Sequence, residues 1–378
     1  MVSPVAGLSW VACEALTGRV IERLPALECR QIAVTIGRYE SAVGAALPLS
    51  SAPAEWERAV LEGATFLVLR DGPTNPIWGG WVLASPRTDA DRVELTLPTA
   101  EAYLDARYVG DEDYGNEGAG LVGQNLIVKD LVEKYVAAGP NGGIPIRVEV
   151  LGGDGTPRER HYRDAANETV YSRLQELSKL PGGPEWTIGW EHSVVDGVVR
   201  YTPVLYVGDR IGSSPMPGMG PGAVFRLPGA VSSTRQERDY SRGKGANHVR
   251  AWSAGQGDEH PAASYTVPDL DRPTVEYRFS PSTSIVDEAT LAAHAERKGL
   301  SMAQGRRSFT VTANYDSART PRLGVDWGVG DDIGLVLAAP AWPRGVRSVH
   351  RALGWRMTLD GVPTVAPVLA GEISSEVE

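Results

Sequence analysis

Three groups of residues in this chain have the types and spacing to do chemistry. Asp258-Glu259-His260, set between Gly257 and Pro261, offers two carboxylates and an imidazole, the donors of a small metal site. Adjacent side chains on a loop can point together, but such triplets are common by chance. No helix-borne His-Glu-x-x-His pattern accompanies this one. Glu185, Glu191 and Asp196 lie near Trp186 and Trp190. Paired carboxylates beside aromatic platforms are the equipment of a glycoside hydrolase. Asp196, however, is accounted for by an Asp-Gly turn. Glu185 and Glu191 follow no acid and nucleophile motif, so solvent-facing carboxylates at strand ends are expected. Cys13 or Cys29 with one of the six His residues could make a thiol hydrolase. No motif surrounds either, and two small apolar residues in or near strands are expected. Two thiols are too few for a four-ligand zinc site or a disulfide framework. Gly152-Gly153-Asp154-Gly155 is too short for a nucleotide loop and reads as a turn, and the chain has no phosphate loop ending in Lys-Ser/Thr and no Gly-x-Ser-x-Gly elbow. The expectation is therefore no catalytic residue, no cofactor and no metal: a protein that is not an enzyme.

The elements that would position such residues are mostly strands. A chain of 378 residues is too long for one ordinary core and predicts two or three domains. With 43 Gly and 27 Pro, turn signals are dense, which favours many short strands. The net charge of −10 argues against a protein that grips nucleic acid, because phosphate binding is driven by Lys and Arg. It does not argue against a surface past which DNA slides. Met1–Trp10 has no basic start and no long apolar core, so no signal peptide is expected, and no stretch approaches about 18 apolar residues, so no membrane span is expected. Synthesis and folding in a cytoplasm follow as the expectation.

Near the front, Thr65–Gly72 and Pro76–Leu83 read as two strands joined by a Pro-containing connection. Near the back, Asp332–Leu337 and Ala352–Leu359 repeat that plan, and each second strand carries Gly-Trp (Gly80-Trp81, Gly354-Trp355). Trp81 and Trp355 are expected to be packing residues at matching places. Gln31–Ile36 and Val93–Leu97 alternate as strands, and Ala54–Glu62 reads as a short helix. Asp111–Gly120, acidic and Gly-rich, reads as an exposed loop and a boundary. Beyond it Ile127/Val128, Leu131/Val132 and Tyr135/Val136 repeat every four residues, the mark of an amphipathic helix. Ile144, Ile146, Val148 and Val150 alternate as a strand. A second helix is expected over Glu168–Leu180 with Asn167 as N-cap and Val170, Leu174 and Leu177 as its buried stripe. Asp196-Gly197 between apolar pairs predicts a hairpin. Ala119–Val207 thus reads as two helices against a small antiparallel sheet. Gly212–Gly229, with Met216 and Met219, reads as a mobile connector. Strands return at Asn247–Trp252, Val275–Phe279, Ser308–Ala313, Ile333–Leu337 and Leu353–Leu359. A helix over about Glu288–Lys298 is capped by Asp287 and ended by Gly299, Asp360-Gly361 makes a further hairpin turn, and Ser374–Glu378 frays.

The order of these motifs resembles a known family. It runs from the strand with Asp71-Gly72 through Pro76-Ile-Trp-Gly-Gly80, Val93–Leu97, Tyr103-Leu-Asp-Ala-Arg107, Tyr135-Val136, Asn167–Leu180 and Gly183-Pro-Glu-Trp-Thr-Ile188. It continues with Gly208-Asp-Arg-Ile-Gly212, Ala246-Asn-His-Val249 and Gly330-Asp-Asp-Ile333. Over most of the chain this is similar to the baseplate hub, or minor tail protein, of long non-contractile-tailed (siphovirus) phages of high-GC Gram-positive bacteria. The resemblance implies a mainly β fold with two tail-tube-type modules, like a contractile-tail hub, flanking a small α+β domain. Residues 1–110 would form the first module (about Leu8–Val109), 111–230 the insert, and 231–378 the second module (about Ser232–Leu369). It also implies a homotrimer whose six modules form a pseudo-six-fold ring extending the tail tube. The implied partners are the distal tail protein, the tape measure protein and receptor-binding or fibre proteins, with DNA passing transiently through the lumen. The implied place is the virion tail tip, and no catalytic residue carries over. A carbohydrate-binding or cell-wall-degrading tail-tip protein is the alternative.

Overall fold

The structure is a computed structural model that describes residues 7–87, 90–115, 120–216, 218–253, 261–269, 271–281 and 287–373. The chain divides into two compact units, one made of Met1–Ser233 with Val311–Glu378 and the other of Thr234–Thr310. The fold is mainly β.

The first unit begins with β1 (Leu8–Glu14), β2 (Val20–Arg23), β3 (Gln31–Thr35), β4 (Thr65–Asp71) and β5 (Pro76–Trp81). Four of them form an antiparallel sheet in the order β2-β1-β4-β5. Thr65–Leu69 are all buried, so β4 is covered on both faces, as its unbroken apolar run requires. The two central glycines of β5 are set by packing. A Cβ on Gly79 would lie 2.2 Å from the Trp190 indole, and one on Gly80 would lie 2.3 Å from the Trp78 indole. Only a residue without a side chain lets two tryptophans cross the strand there.

The insert follows with α1 (Gln124–Tyr135), β6 (Arg147–Leu151), α2 (Val170–Ser178), β7 (Glu185–Val195) and β8 (Val198–Gly208). Ile127, Val128, Leu131, Val132, Val170, Leu174 and Leu177 are fully buried, as their spacing predicts. The α2 cap differs from the expectation. Asn167 sits at φ +52° after a short 3-10 turn, and Thr169 caps the helix, its Oγ1 accepting from the Ser172 N–H at 3.1 Å. The β7–β8 hairpin turns at Asp196 (φ +52°) and Gly197 (φ +76°), the positive-φ pair of a two-residue turn. The sheet is not wholly antiparallel: β8 is central, and β6 runs parallel to it on the side away from β7. Asp111–Gly120 is not simply an exposed loop either. Glu112–Tyr114 pairs with Arg160–Tyr162, and Tyr114 is buried, donating its hydroxyl to Asp130 at 2.7 Å.

After the insert, β9 (Val224–Leu227) and β10 (Val231–Asp239) begin the rear sheet. β9 lies within the Pro- and Gly-rich connector expected as a loop, and it pairs parallel to a strand over a hundred residues on, with Phe225 fully buried. Met216 and Met219 in the same stretch are exposed.

The second unit contains β11 (His248–Trp252), β12 (Ala262–Thr266), β13 (Glu276–Phe279) and α3 (Glu288–Met302), with β11 central in the sheet. Asp287 caps α3 as expected, accepting from the Thr290 N–H at 2.8 Å. Gly299 does not end the helix. It lies inside it, where a Cβ would come 2.9 Å from the Tyr265 ring, so this glycine answers a close approach rather than a stop signal.

The rear sheet resumes with β14 (Arg306–Asn314), β15 (Asp332–Ala339), β16 (Trp342–Thr358) and β17 (Thr364–Ile373), in the order β9-β15-β16-β17-β14-β10. β3 from the front third also pairs with β16, from Gln31 opposite Thr358 to Thr35 opposite Gly354. The front and rear Gly-Trp pairs are not equivalent in register. Gly80 and Trp81 face Leu67 and Phe66 of their hairpin partner. The β15–β16 ladder ends at Asp332 opposite Arg351, so Gly354 and Trp355 face β17 and β3 instead. Both tryptophan-bearing strands do pack as expected, with Trp355 buried and Trp81 half-buried against Tyr103. The β16–β17 connection runs over Leu359–Pro363, longer than a two-residue turn.

Candidate functional site

Within the first unit the front, insert and rear segments are joined by charged side chains. Asp71, at the end of β4, is buried and accepts from the Tyr315 hydroxyl at 2.9 Å and from Arg322 Nη2 at 2.7 Å. Burial beside this carboxylate pushes the Tyr315 phenol far above its ordinary range, so it remains a donor. Asn75 Nδ2 donates to the Leu323 carbonyl at 3.2 Å.

A second joint ties the insert to the rear sheet. Glu185, at the start of β7, holds Arg351 of β16 through both guanidinium ends and accepts from the Ile211 N–H at 2.9 Å. Arg351 also donates to the carbonyls of Ile211 at 2.9 Å and Gly330 at 3.1 Å. Asp331 accepts from the N–H of Ser213 at 2.6 Å and of Gly328 at 2.7 Å, and Arg210 pairs with Asp332 at 2.6 Å. Gly208–Gly212 and Gly330–Ile333 therefore meet, through contacts between residues 118 to 122 positions apart in the chain. Gly212 and Gly330 take φ +80° and +93°, and their backbones touch so closely that a Cβ on Gly212 would lie 2.0 Å from the Gly330 carbonyl carbon.

The carboxylates considered for hydrolysis are thus dispersed. Glu185 is held in the Arg351 joint, Asp196 is in its turn, and Glu191 is half-exposed and paired with Arg147 at 2.5 Å. Trp186 is fully buried. The thiols are inert, since burial pushes Cys13 up to about 12 and Cys29 up to about 11. Cys13 packs with Val11, Val68 and Tyr201, and Cys29 leans on the carbonyls of Gln31 and Val43. Asp258-Glu259-His260 lies outside the described residues. Among the described residues no group of three or more His, Cys, Asp or Glu could hold a metal ion, and no helix is long and apolar enough to cross a membrane.

One cavity, of about 490 Å³, opens beside the edges of β5 and β7. Its walls include Trp78, Trp190, Tyr206 and Trp355, and its polar lining includes Thr187, Glu191 and His192. Near β7, Glu101 is wholly buried, with Oε1 accepting from the Ile188 N–H at 3.0 Å and Oε2 without a partner among the described residues. Burial, countered in part by a hydrogen bond from Thr99, pushes this carboxyl up to about 7.

Sequence reasoning missed Asp71, Glu101, Thr187, Arg322 and Arg351. Asp71 and Thr187 fall inside the motifs that carry the resemblance without a role of their own, and Glu101, Arg322 and Arg351 carry no local pattern, because Ile188, Asp71 and Glu185 lie 87, 251 and 166 residues away from them.

No family model matches the sequence, and no curated protein is similar enough to count as a relative. Solved structures are similar in fold. The tail protein from Neisseria meningitidis MC58 matches with a TM-score of 0.52 at 12% identity, over 96% of each chain. The 43 kDa tail protein of prophage MuSo2 from Shewanella oneidensis matches at 0.56 and 10%, over 96% of this chain and 98% of that one. A chain of a PdpA–VgrG complex matches at 0.50 and 6%, over 95% of this chain and 64% of its own length. The chain has a β-rich, tail-tube-type fold and is similar in fold to these two tail proteins.

Proposed function

We propose that this chain is the structural baseplate hub of a phage tail tip. Three copies form a pseudo-six-fold ring that continues the tail tube and links it to the distal tail and receptor-binding proteins. The observation that carries the reading is the end-to-end fold match to two tail proteins, one of them from a prophage, each covered almost completely. The joints support it too: front, insert and rear segments locked by Asp71–Arg322 and Glu185–Arg351 suit a part that bears load rather than one that turns over substrate. Two wall-forming segments per chain convert three-fold into near six-fold symmetry, which a tube of hexameric rings requires. A net charge of −10 suits a lumen past which DNA slides without sticking. On this reading the family is that of long non-contractile-tailed phages, the three segments 1–110, 111–230 and 231–378 are the hub's building blocks, and the protein does no catalysis.

Light scattering and negative-stain imaging of the purified chain, alone and with a distal tail protein from the same virion, test the proposal. A ring of three copies with an open centre is expected. A monomer in both preparations, or antibody labelling of virions away from the tail tip, overturns it.

A further inference from the structure

The cavity beside β5 and β7 has polar groups that the fold leaves without partners. The Thr187 side chain is only 7% exposed, and its Oγ1 has no hydrogen-bond partner among the described residues. A buried hydroxyl left unpaired costs about 1–3 kcal/mol, so its retention needs a reason. Trp190 and His192 line the same cavity, and neither Trp190 Nε1 nor the His192 ring makes a hydrogen bond to described residues. Trp190 and Tyr206, both half-buried, give the same lining its aromatic rings. At about 490 Å³ the space is within the ordinary range of small-ligand sites.

We propose that this cavity binds a neutral saccharide of one or two rings. Pyranose rings combine an apolar face, which packs on indole and phenol rings, with hydroxyls that both donate and accept. The cavity offers that combination: aromatic walls, an acceptor at Glu191, a donor at Trp190 Nε1, and groups that do either at Thr187 and His192. An anionic ligand is disfavoured. Among the described residues that line the cavity there is no Lys or Arg; Arg147, the cation paired with Glu191, is already shared with Glu149, and Glu191 is itself part of the lining. A purely apolar ligand would leave the unpaired groups unpaired. The site binds without cleaving: among the described residues that line it Glu191 is the one carboxylate, Glu185 being held by Arg351 and Glu101 buried on the Ile188 N–H.

The site goes beyond the hub reading and does not depend on it. The test is titration of the purified full chain with N,N′-diacetylchitobiose, cellobiose, maltose and lactose, followed by calorimetry and saturation-transfer NMR. At least one disaccharide saturates a single site. Thr187→Val, which keeps the shape and removes the hydroxyl, weakens that binding about tenfold, the equivalent of one hydrogen bond of about 1.4 kcal/mol. The same variant leaves the melting temperature of the free protein unchanged or higher, since an unpaired hydroxyl has gone. Trp190→Phe, a milder change of the wall, weakens binding in the same direction. The proposal is overturned if none of the four sugars saturates, if Thr187→Val binds as the parent does, or if Thr187→Val melts well below it. Each of these results is read on the isolated chain and leaves the ring test untouched.

Discussion

At the scale of single residues, the buried carboxyl of Glu101 and the paired glycines of β5 make the sharpest demands. Glu101 has an ordinary value near 4.5 and is pushed up to about 7 in the fold. Below the lower value both folded and unfolded chains hold the proton, and above the upper one neither does. Between them only the folded chain holds it, so stability falls as pH rises through that window, by about 3 kcal/mol in all. Glu101→Gln keeps an acceptor for the Ile188 N–H and cannot titrate. Thermal unfolding at pH 5 and pH 8 should show the variant gaining on the parent at the higher pH, and an equal pH dependence in both would refute the assignment. Gly79→Ala places a methyl 2.2 Å from the Trp190 ring, in a contact that neither backbone nor indole can easily relax. A loss of about 3 kcal/mol is expected in urea unfolding. A loss under 1 kcal/mol would mean that the indole moves freely.

At the scale of elements, the joints outweigh the individual strands. Arg351→Met strips Glu185 of its guanidinium and the Ile211 and Gly330 carbonyls of a donor. The pair is only partly buried, so the expected cost is about 2 kcal/mol, and adding Glu185→Met should recover part of it. A double-mutant cycle by calorimetry reads both numbers. Strictly additive effects would show that the two side chains do not cooperate. Elements set by local pattern were legible in the sequence: the α1 and α2 stripes, the Asp196-Gly197 hairpin and the Asp287 cap all follow from spacing within one turn or one strand. Those set by distant partners were not. The β9 strand sits among prolines and glycines and is a strand because β15 lies beside it. Gly299 reads as a stop signal until Tyr265 is placed against it. The Gly-Trp echo suggested equivalent registers, and only the ladder reveals that the rear copy has slid past its hairpin partner. The candidate site is legible only in part: Trp190 reads as an aromatic platform and Glu191 as a carboxylate weighed for hydrolysis and expected to face solvent, whereas Thr187 carries no signal until its missing partner is visible.

At the scale of the whole molecule, the two compact units differ in how the chain threads them. The first unit is left along β10 and rejoined along β14, which are neighbours in the rear sheet. The Asn314 N–H donates to the Ala230 carbonyl at 3.2 Å, and the Ser232 hydroxyl donates to the Thr312 carbonyl at 3.1 Å. Those two contacts run in opposite directions along the chain, as an antiparallel pair requires. Replacing Thr234–Thr310 with an Asn-Gly turn should therefore give a soluble chain that still unfolds cooperatively and keeps its β-type circular dichroism. An aggregated or protease-labile product would show that the first unit depends on the second. Because exit and return share one doorway, evolution or an engineer can exchange what hangs there, altering its size or specificity, while every joint that locks the remaining segments together keeps its residues and its spacing.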